Sequence, residues 1–383
     1  MTIKSMDYGK KSLELHEKHR GKMGIVSNVP VEKKEDLSIA YTPGVAEPCR
    51  AIAANLDKVW DLTIKSHTVA VVTDGTAVLG LGNIGPEAGL PVMEGKCILY
   101  KRFSGLDAFP ICLRTKSPEE IIETCLRLAP TFGAIQLEDI KAPECFEVVS
   151  RLEKELDIPV MQDDQYGTAV VVLAGLINAL KVVGKEIGDI KVVVNGAGSA
   201  GIAIADLLMD AGVTKIKVAD SKGVLFDDGK RNLYKIEMAK RTNPENVEST
   251  MKEELNGADV FVGVSVGGVL TSDDVGTMAE KSIVMAMANP TPEIFPDDAK
   301  AGGAAVVATG RSDFPNQANN VLAYPGLFLG VLECRSPKFT KDMYMRAAHV
   351  LAGMVDNPTA DRIFPTLFDG DSARTVANAV KSC

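Results

Sequence analysis

Residues 190–220, IKVVVNGAGSAGIAIADLLMDAGVTKIKVAD, have the pattern of a strand, a helix and a second strand. An apolar strand precedes a GxGxxG turn formed by Gly196, Gly198 and Gly201, an apolar helix follows, and the second strand ends in Asp220. In such a unit the helix N-terminus holds a pyrophosphate and the terminal acid accepts hydrogen bonds from ribose hydroxyls. The stretch therefore predicts an α/β fold with a Rossmann-type, doubly wound dinucleotide-binding domain.

The same acid bears on the choice of coenzyme. A carboxylate at Asp220 repels a 2′-phosphate, which favours NAD over NADP. Lys222, two residues further along, offsets part of that repulsion. The sequence therefore favours NAD and leaves NADP possible.

A second GxGxxG match, GLGNIG at residues 80–85, lacks this context. Pro86, Gly89 and Pro91 interrupt the helix that should follow, and no strand ending in an acid comes at the right distance. We therefore expect a tight glycine loop here that lets the backbone approach a neighbouring segment closely.

Four carboxylates follow two apolar runs within residues 133–164. Glu138 and Asp139 end the first run, Asp163 and Asp164 end the second, and an amphipathic helical pattern separates them. Neighbouring parallel strands would bring all four to one edge of a sheet, where they would repel one another unless a cation joined them. Solvated acids at strand ends are the simpler alternative. Two acidic pairs at the same edge favour a hard divalent metal that takes oxygen ligands.

Two further residues have ordinary explanations when the residues alone are considered. Lys96 lies among apolar residues, and such a lysine either extends its amine to solvent or is desolvated with a lowered pKa. The sequence around Lys96 favours the first. Tyr41 precedes a turn at Pro43-Gly44, where a tyrosine is usually a packed aromatic side chain.

Three more apolar runs predict strands that end in glycine, serine or asparagine at the ligand edge: residues 259–265, 282–290 and 304–313. The first ends in Ser265, and Asn289 lies near the end of the second. A loop then carries three asparagines, which are commonly turn formers: Asn316, Asn319 and Asn320.

Length and charge limit the remaining possibilities. At 383 residues the chain is too long for one ordinary core, so we expect two domains, 1–163 and 164–383, with helices after residue 320. A net charge of −9 argues against nucleic acid as a main partner. The apolar run 168–180 is too short to span a bilayer and predicts a buried helix.

The compartment is suggested by the N-terminus and the cysteines. MTIKSMDYGKK lacks the apolar core of a secretory signal, and residues 1–22 have the pattern of a polar helix. The seven cysteines are scattered and form no CxxC pair, which is typical of reduced thiols in a cytoplasm.

Taken together, the motifs resemble those of malic enzymes of the small, bacterial type. The segments YTPGVAEPC, VVTDGTAVLGLGNIGPEAGLPVMEGK, LEDI, QDDQYGTA, NGAGSAG, ANPTPE and GRSDFPNQANNVLAYPG are similar to family signatures and occur in family order. They extend from about residue 20 to residue 330. The resemblance implies an N-terminal α/β catalytic domain followed by the dinucleotide-binding domain.

The resemblance also implies roles for individual residues. Tyr41 would be the general acid, Lys96 the general base, and Asp163 the acid that hydrogen-bonds the lysine. The metal ligands would be Glu138, Asp139 and Asp164, and the substrate carboxylate would be held by Asn289 and Asn320. The residues expected to contact the coenzyme are Gly196, Ala197, Gly198, Ser199, Ala200, Gly201, Asp220, Ser265 and Asn289. The larger family members carry an arginine where this chain has Thr76-Ala77, so another contact to the substrate carboxylate is needed.

The activity implied is oxidative decarboxylation of L-malate to pyruvate and CO₂, with reduction of NAD or NADP and a requirement for Mg²⁺ or Mn²⁺. We expect a cytoplasmic homodimer without nucleic-acid or membrane partners. Two alternatives stay open: malolactic chemistry, from malate to lactate with bound NAD, and a dinucleotide-sensing binding protein without turnover. The paired acids argue against the sensor.

Overall fold

The computed structural model of the chain describes residues 8–78, 80–368 and 370–382, which form two parallel sheets with surrounding helices. The strands are β1 (Thr68–Thr73), β2 (Asp107–Cys112), β3 (Ala134–Leu137), β4 (Val160–Gln162), β5 (Lys191–Asn195), β6 (Lys215–Asp220), β7 (Gly223–Val224), β8 (Val260–Gly263), β9 (Ile283–Ala286) and β10 (Val306–Thr309). The helices are α1 (Tyr8–His19), α2 (Lys34–Ala40), α3 (Ala46–Ala54), α4 (Val59–Leu62), α5 (Pro86–Ser104), α6 (Pro118–Leu128), α7 (Glu144–Glu155), α8 (Thr168–Val183), α9 (Ser199–Asp210), α10 (Leu233–Thr242), α11 (Met251–Leu255), α12 (Ser272–Gly276), α13 (Pro296–Ala301), α14 (Tyr324–Glu333), α15 (Lys341–Gly353) and α16 (Ser372–Lys381).

The first sheet has the strand order β2-β1-β3-β4, and all its strands are parallel. Alternate residues of β1 enter different cores, because successive side chains of a strand point to opposite faces. Val69 and Val71 pack on the side of α5, whereas Ala70 and Val72 pack on the side of α6 and α7. The sheet is therefore covered on both faces, as parallel sheets require.

The second sheet has the order β10-β9-β8-β5-β6-β7, parallel except for the short edge strand β7. β5 pairs with β6 on one side and with β8 on the other, so the strand order reverses at β5. Such a reversal opens a crevice beyond the carboxyl ends of the strands. The predicted doubly wound dinucleotide-binding fold is confirmed.

The predicted buried helix is also confirmed. α8, preceded by a π-helical turn at Asp163–Gly167, connects the two sheets. This continuous helical stretch is long and apolar enough to cross a membrane by composition alone, but 72% of its most apolar window is buried inside the protein. It is therefore a core helix.

The main hydrophobic core continues from the first sheet into the second. It includes Val69 of β1 and Val192 of β5 as well as most of α8. An aromatic cluster joins α5 to the C-terminal helix α14: the ring of Tyr100 lies 4.9 Å from that of Tyr324 and 5.5 Å from that of Phe328. The predicted division between residues 163 and 164 stays a prediction.

The expectation that no helix follows the first glycine loop is wrong, because α5 begins at Pro86 and continues through Gly89 and Pro91. Pro86 occupies the first helical position, where its missing N–H would lack a partner in any case. Pro91 removes one helical hydrogen bond, and burial of Met93 and Tyr100 outweighs that loss.

The N-terminal arm, residues 8–64, is largely exposed, although Trp60 packs against the buried clusters. None of its residues is buried, and most of the exposed large apolar side chains of the described chain belong to it. It is attached to α5 at Lys22, whose amide donates to Glu94 Oε2 at 3.0 Å. Such a surface is typical of a segment that binds another molecule.

Two sequence-based expectations extend past the described residues. The predicted helix over residues 1–22 is observed as α1, and residues 1–7 lie outside the described part. The cysteines that the structure describes are free thiols: Cys49, Cys97, Cys112, Cys125, Cys145 and Cys334. Cys383 lies outside the described residues.

Candidate active site

Carboxylates meet at the carboxyl ends of β3 and β4, which pair in parallel with Leu137 opposite Gln162. Ligand oxygens of Glu138, Asp139 and Asp164 all lie within 4.8 Å of one another. Three oxygen donors of this kind, two of them on buried residues, fit a hard divalent cation. The structure thus brings the predicted metal ligands together, and their role as ligands stays a prediction.

The backbone orients two of these carboxylates. Asp139 has a positive φ of 53°, and its carbonyl accepts a hydrogen bond from the amide of Ala77 at 2.9 Å. Its own amide donates to Asp164 Oδ2 at 2.8 Å, and Gln162 Nε2 donates to the same oxygen at 3.1 Å. The protein therefore fixes one oxygen of Asp164, which determines the direction of the other.

Lys96 lies on α5 directly behind this cluster. Its Nζ is 2.5 Å from Asp163 Oδ2 and 2.9 Å from Glu138 Oε1. Only 11% of its side chain is exposed, and the ring of Tyr324 lies 4.7 Å from Nζ. The interpretation that the residues alone favoured, an amine extending to solvent, is therefore wrong.

The two carboxylates decide the charge of this lysine. Burial lowers the pKa of Lys96, but the attraction of Asp163 and Glu138 outweighs burial and raises the pKa well above its usual value. Burial in turn raises the pKa of Glu138 and that of Asp163, although Lys96 opposes the shift in both. The contacts with the two acids therefore favour the ammonium form of Lys96.

Two adjoining cavities join this cluster to the glycine turn. One, of about 320 Å³, is lined by Asp139, Asp164, Ser199, Ala200, Asn289 and Asn320. The other, of about 930 Å³, is lined by Gly196, Ala197, Gly198 and Asp220. Val264 and Ser265 line both cavities, so Asp139 and Asp164 share one cleft with the predicted substrate residues and with most of the predicted coenzyme residues.

The glycine turn has the geometry that a pyrophosphate needs. Gly196 has a φ of 122°, and a Cβ added to Gly201 would lie 1.6 Å from the carbonyl oxygen of Gly196. A Cβ on Gly198, just before α9, would meet no atom within 4 Å. The turn therefore leaves open space at a helix N-terminus, which fits a dinucleotide.

The first glycine loop adopts the predicted tight conformation, with positive φ at Gly80, Gly82 and Gly85. A Cβ on Gly80 would lie 2.0 Å from the carbonyl oxygen of Asn289. The predicted close backbone approach is therefore confirmed, and its neighbour is the segment that lines the cleft.

Tyr41 differs from its expected packing. Its side chain is 66% exposed at the C-terminal end of α2, so it is not a packed aromatic residue of this chain. It lines neither of the two cavities among the described residues. A single copy of the chain therefore does not place Tyr41 in the cleft wall.

Sequence reasoning missed Glu293, a buried acid behind the cleft. Its Oε1 accepts from the amide of Ser265 at 2.9 Å, and its Oε2 accepts from the amide of Ala288 at 3.0 Å. It thereby holds together the segments that follow β8 and β9, both of which line the smaller cavity. Glu293 closes the motif ANPTPE, where an acid between a proline and an apolar residue resembles an ordinary turn residue.

Also missed were the polar groups around Glu138. Gln136 Nε2 donates to Glu138 Oε2 at 2.6 Å, and the Tyr100 hydroxyl donates to Gln136 Oε1. Tyr324 was missed as well, because an apolar aromatic position on a helix predicts only core packing.

Two models of known protein families together match nearly the whole chain. The model described as "Malic enzyme, N-terminal domain" matches residues 20–153, and the model described as "Malic enzyme, NAD binding domain" matches residues 165–383.

Individual proteins are similar over the same extent. The bifunctional malic/malolactic enzyme of Bacillus subtilis is 52% identical, over 98% of this chain and 92% of its own. The NAD-dependent malic enzyme of Geobacillus stearothermophilus is 52% identical, over 94% of this chain and 76% of its own. The crystal structure of an NAD-dependent malic enzyme from Thermotoga maritima superimposes with a TM-score of 0.93 at 48% identity, covering 96% of this chain and 98% of that one.

Replacing Asp164 tests the candidate metal site. In Asp164→Asn an amide replaces an anionic ligand, so we expect Mn²⁺ affinity to fall by roughly tenfold or more while the fold is kept. Calorimetric titration of Mn²⁺ measures the affinity, and circular dichroism checks the fold. The exposed Asp189→Asn is the matched control. Unchanged Mn²⁺ affinity in Asp164→Asn would exclude Asp164 as a ligand.

Replacing Glu293 tests its role in holding the two loops. In Glu293→Gln one backbone N–H would face an amide N–H instead of an oxygen, which costs about 1–3 kcal/mol for the buried unpaired group. We expect a lower unfolding temperature and weaker coenzyme binding, measured by thermal denaturation and coenzyme titration. The exposed Glu280→Gln should change neither. Wild-type coenzyme binding by Glu293→Gln would show that the bridge does not position the loops.

Proposed function

The chain belongs to the malic enzyme family, and we propose that it catalyses the oxidative decarboxylation of L-malate to pyruvate and CO₂ with reduction of NAD or NADP. One observation carries the proposal. Three carboxylates suited to a divalent metal meet where Asp139 and Asp164 line the same cleft as the pyrophosphate turn, and a buried lysine lies behind them.

The roles proposed for the residues follow from their places in the cleft. Glu138, Asp139 and Asp164 would hold Mg²⁺ or Mn²⁺, and Asn289 and Asn320 would bind the substrate carboxylate. The turn Gly196–Gly201, Asp220 and Ser265 would bind the coenzyme. When bound, the metal supplies a Lewis acid and the nicotinamide a hydride acceptor.

Lys96 would accept the proton of the malate C2 hydroxyl. A protonated lysine has no lone pair, so it must first transfer its proton, and Asp163 at 2.5 Å is positioned to receive it. Burial raises the pKa of Asp163, which favours that transfer, whereas the attraction of Asp163 and Glu138 raises the pKa of Lys96 and opposes it. The lysine and the aspartate then act as a proton relay on the inner side of the cleft.

A homodimer would complete the site. The N-terminal arm exposes its apolar side chains, and Tyr41, which belongs to it, lines neither cavity of its own chain among the described residues. A second copy that covers the arm would remove this surface from water. We propose that each subunit supplies Tyr41 to its partner's cleft, where it would donate a proton to C3 of the enolate left by loss of CO₂ and so give pyruvate.

Two finer assignments are proposals on the same footing. The division of the chain at residues 163 and 164 is supported by the position of β4 in the first sheet and of β5 in the second. A cytoplasmic location is supported by the free thiols among the described cysteines.

The products distinguish the candidate functions. With malate, Mn²⁺ and coenzyme, we expect reduced coenzyme at 340 nm together with pyruvate. Malolactic chemistry is the second candidate, favoured by the name of the Bacillus subtilis relative, and it would give lactate without net reduction. If neither pyruvate nor lactate forms, the dinucleotide sensor is the remaining explanation. Omission of the metal is the control and should abolish turnover.

Mixed dimers test whether Tyr41 acts across subunits. We expect Lys96→Ala to lose 10²–10⁴-fold in kcat by loss of the general base, roughly the scale of acid–base catalysis, and Tyr41→Phe to lose pyruvate formation. If Tyr41 acts in the partner's cleft, a mixed dimer has one site with both residues. Random mixing should then restore about a quarter of wild-type activity, since half of the dimers are mixed and each has one intact site.

The controls use the same arm. Tyr8→Phe, which alters another exposed tyrosine, should keep wild-type activity. A chain carrying both Tyr41→Phe and Lys96→Ala, mixed with Lys96→Ala, should restore nothing. Absence of recovery in the Tyr41→Phe and Lys96→Ala mixture, with mixed dimers demonstrated by tags, would place Tyr41 in its own subunit's site.

A further inference from the structure

The wall at the adenosine end of the cleft carries an excess of positive charge. Among its described lining residues there is one carboxylate, Asp220, and there are three lysines: Lys222, Lys235 and Lys252. Lys252 is paired with Asp274 at 2.8 Å, so Lys222 and Lys235 are the cations beside the acid. The net charge of this wall therefore differs from that of a subsite in which the ribose-binding acid is the only charged group.

Both oxygens of Asp220 are already engaged. Oδ1 accepts from the amide of Lys222 at 2.8 Å, and Oδ2 lies 2.7 Å from Lys235 Nζ and 3.4 Å from Arg231 Nη1. Burial opposes ionisation, but these partners outweigh it and hold the pKa of Asp220 below its usual value. The carboxylate is therefore charged and screened, so its repulsion of a second anion is weakened.

The two cations that contact Asp220 differ in exposure. The Arg231 side chain is 5% exposed, with Nε 3.5 Å from Asp228 Oδ2 and its guanidinium 5.0 Å from the ring of Phe226. The Lys235 side chain is 25% exposed, lines the cavity and contacts Asp220 through its terminal nitrogen. A lysine has a flexible stem and donors in several directions, so Lys235 is the one that can change partner.

The backbone of Lys235 is fixed at the start of α10. The Asn232 side chain caps the helix by accepting from the amide of Lys235 at 3.1 Å, and Asn232 also lines the cavity. Movement is therefore confined to the side chain. The helix N-terminus adds a partial positive charge on the same side of the cleft.

We infer that Lys235 determines coenzyme selectivity by exchanging Asp220 for the 2′-phosphate of NADP, so that one subsite accepts both coenzymes. With NAD bound, Lys235 stays on Asp220. With NADP, Lys235 pairs with the 2′-phosphate. Asp220 then keeps its contacts with the backbone amide of Lys222 and with the guanidinium of Arg231. This inference rests on the proposed function only in requiring that the cleft binds a dinucleotide.

The consequence differs from the preference expected from Asp220 alone. An acid whose oxygens both accept from ribose hydroxyls would reject a 2′-phosphate. Because Lys235 neutralises Asp220 and can change partner, the subsite admits both NAD and NADP. Removal of Lys235 should restore the rejection of the 2′-phosphate.

Binding of nucleotide fragments tests the inference without malate turnover. Calorimetric titration with ADP and with 2′,5′-ADP isolates the effect of the 2′-phosphate. In Lys235→Ala we expect the affinity for 2′,5′-ADP to fall by roughly tenfold or more and that for ADP to stay within about twofold, since one charge-assisted contact is lost only to the phosphate. In Asp220→Asn the affinity for 2′,5′-ADP should rise, because the competing acid is gone.

Lys240→Ala is the matched control, since this lysine lies on the same helix, is exposed and pairs with Glu237 at 2.7 Å away from the cavity wall. It should change neither affinity. Equal losses for both nucleotides in Lys235→Ala, or no loss at all, would overturn the inference and leave the proposed reaction intact. If wild-type protein bound neither nucleotide, the inference and the dinucleotide site would both be overturned.

Discussion

The ammonium group of Lys96 lies between the carboxylates of Asp163 and Glu138, in a region from which water is largely excluded. Burying these charges is expensive, and the arrangement is stable only because each group has partners of opposite charge or hydrogen bonds. Several structural details depend on this contact. α5 must dock against the ends of β3 and β4, and Gly167 must lack a side chain, since a Cβ there would lie 1.7 Å from Asp163 Oδ1.

Periodicity and strand-end chemistry predicted a large part of the fold. The pattern around Gly196 gives the doubly wound sheet, and the acids after two apolar runs predict that Glu138, Asp139 and Asp164 meet. Both predictions succeed for the same physical reason. The carboxyl ends of parallel strands lie at one edge, so residues distant in sequence become neighbours once the strands pair.

Other features depend on tertiary packing that local sequence does not encode. Pro91 predicted a break, yet α5 continues through it because its apolar face is buried. Lys96 has the sequence context of a surface lysine, because its two partners, Glu138 and Asp163, follow strands that are distant in sequence. Glu293 and the Asp220–Lys235 pair connect segments whose proximity follows only from the folded loops. Tyr41 is exposed on the N-terminal arm and lines neither cavity among the described residues, so nothing in its local sequence placed it relative to the cleft.

The core that continues from β1 through α8 into β5, with Tyr100 of α5 packed on Tyr324 and Phe328 of α14, limits how the chain can be recombined. The aromatic residues at the two ends of this contact come from the first and last thirds of the sequence. A chimera that exchanged only the coenzyme-binding half between relatives would import a foreign α14 against the native α5, beside Lys96. The natural unit of exchange is therefore the sheet β5–β10 without its C-terminal helices.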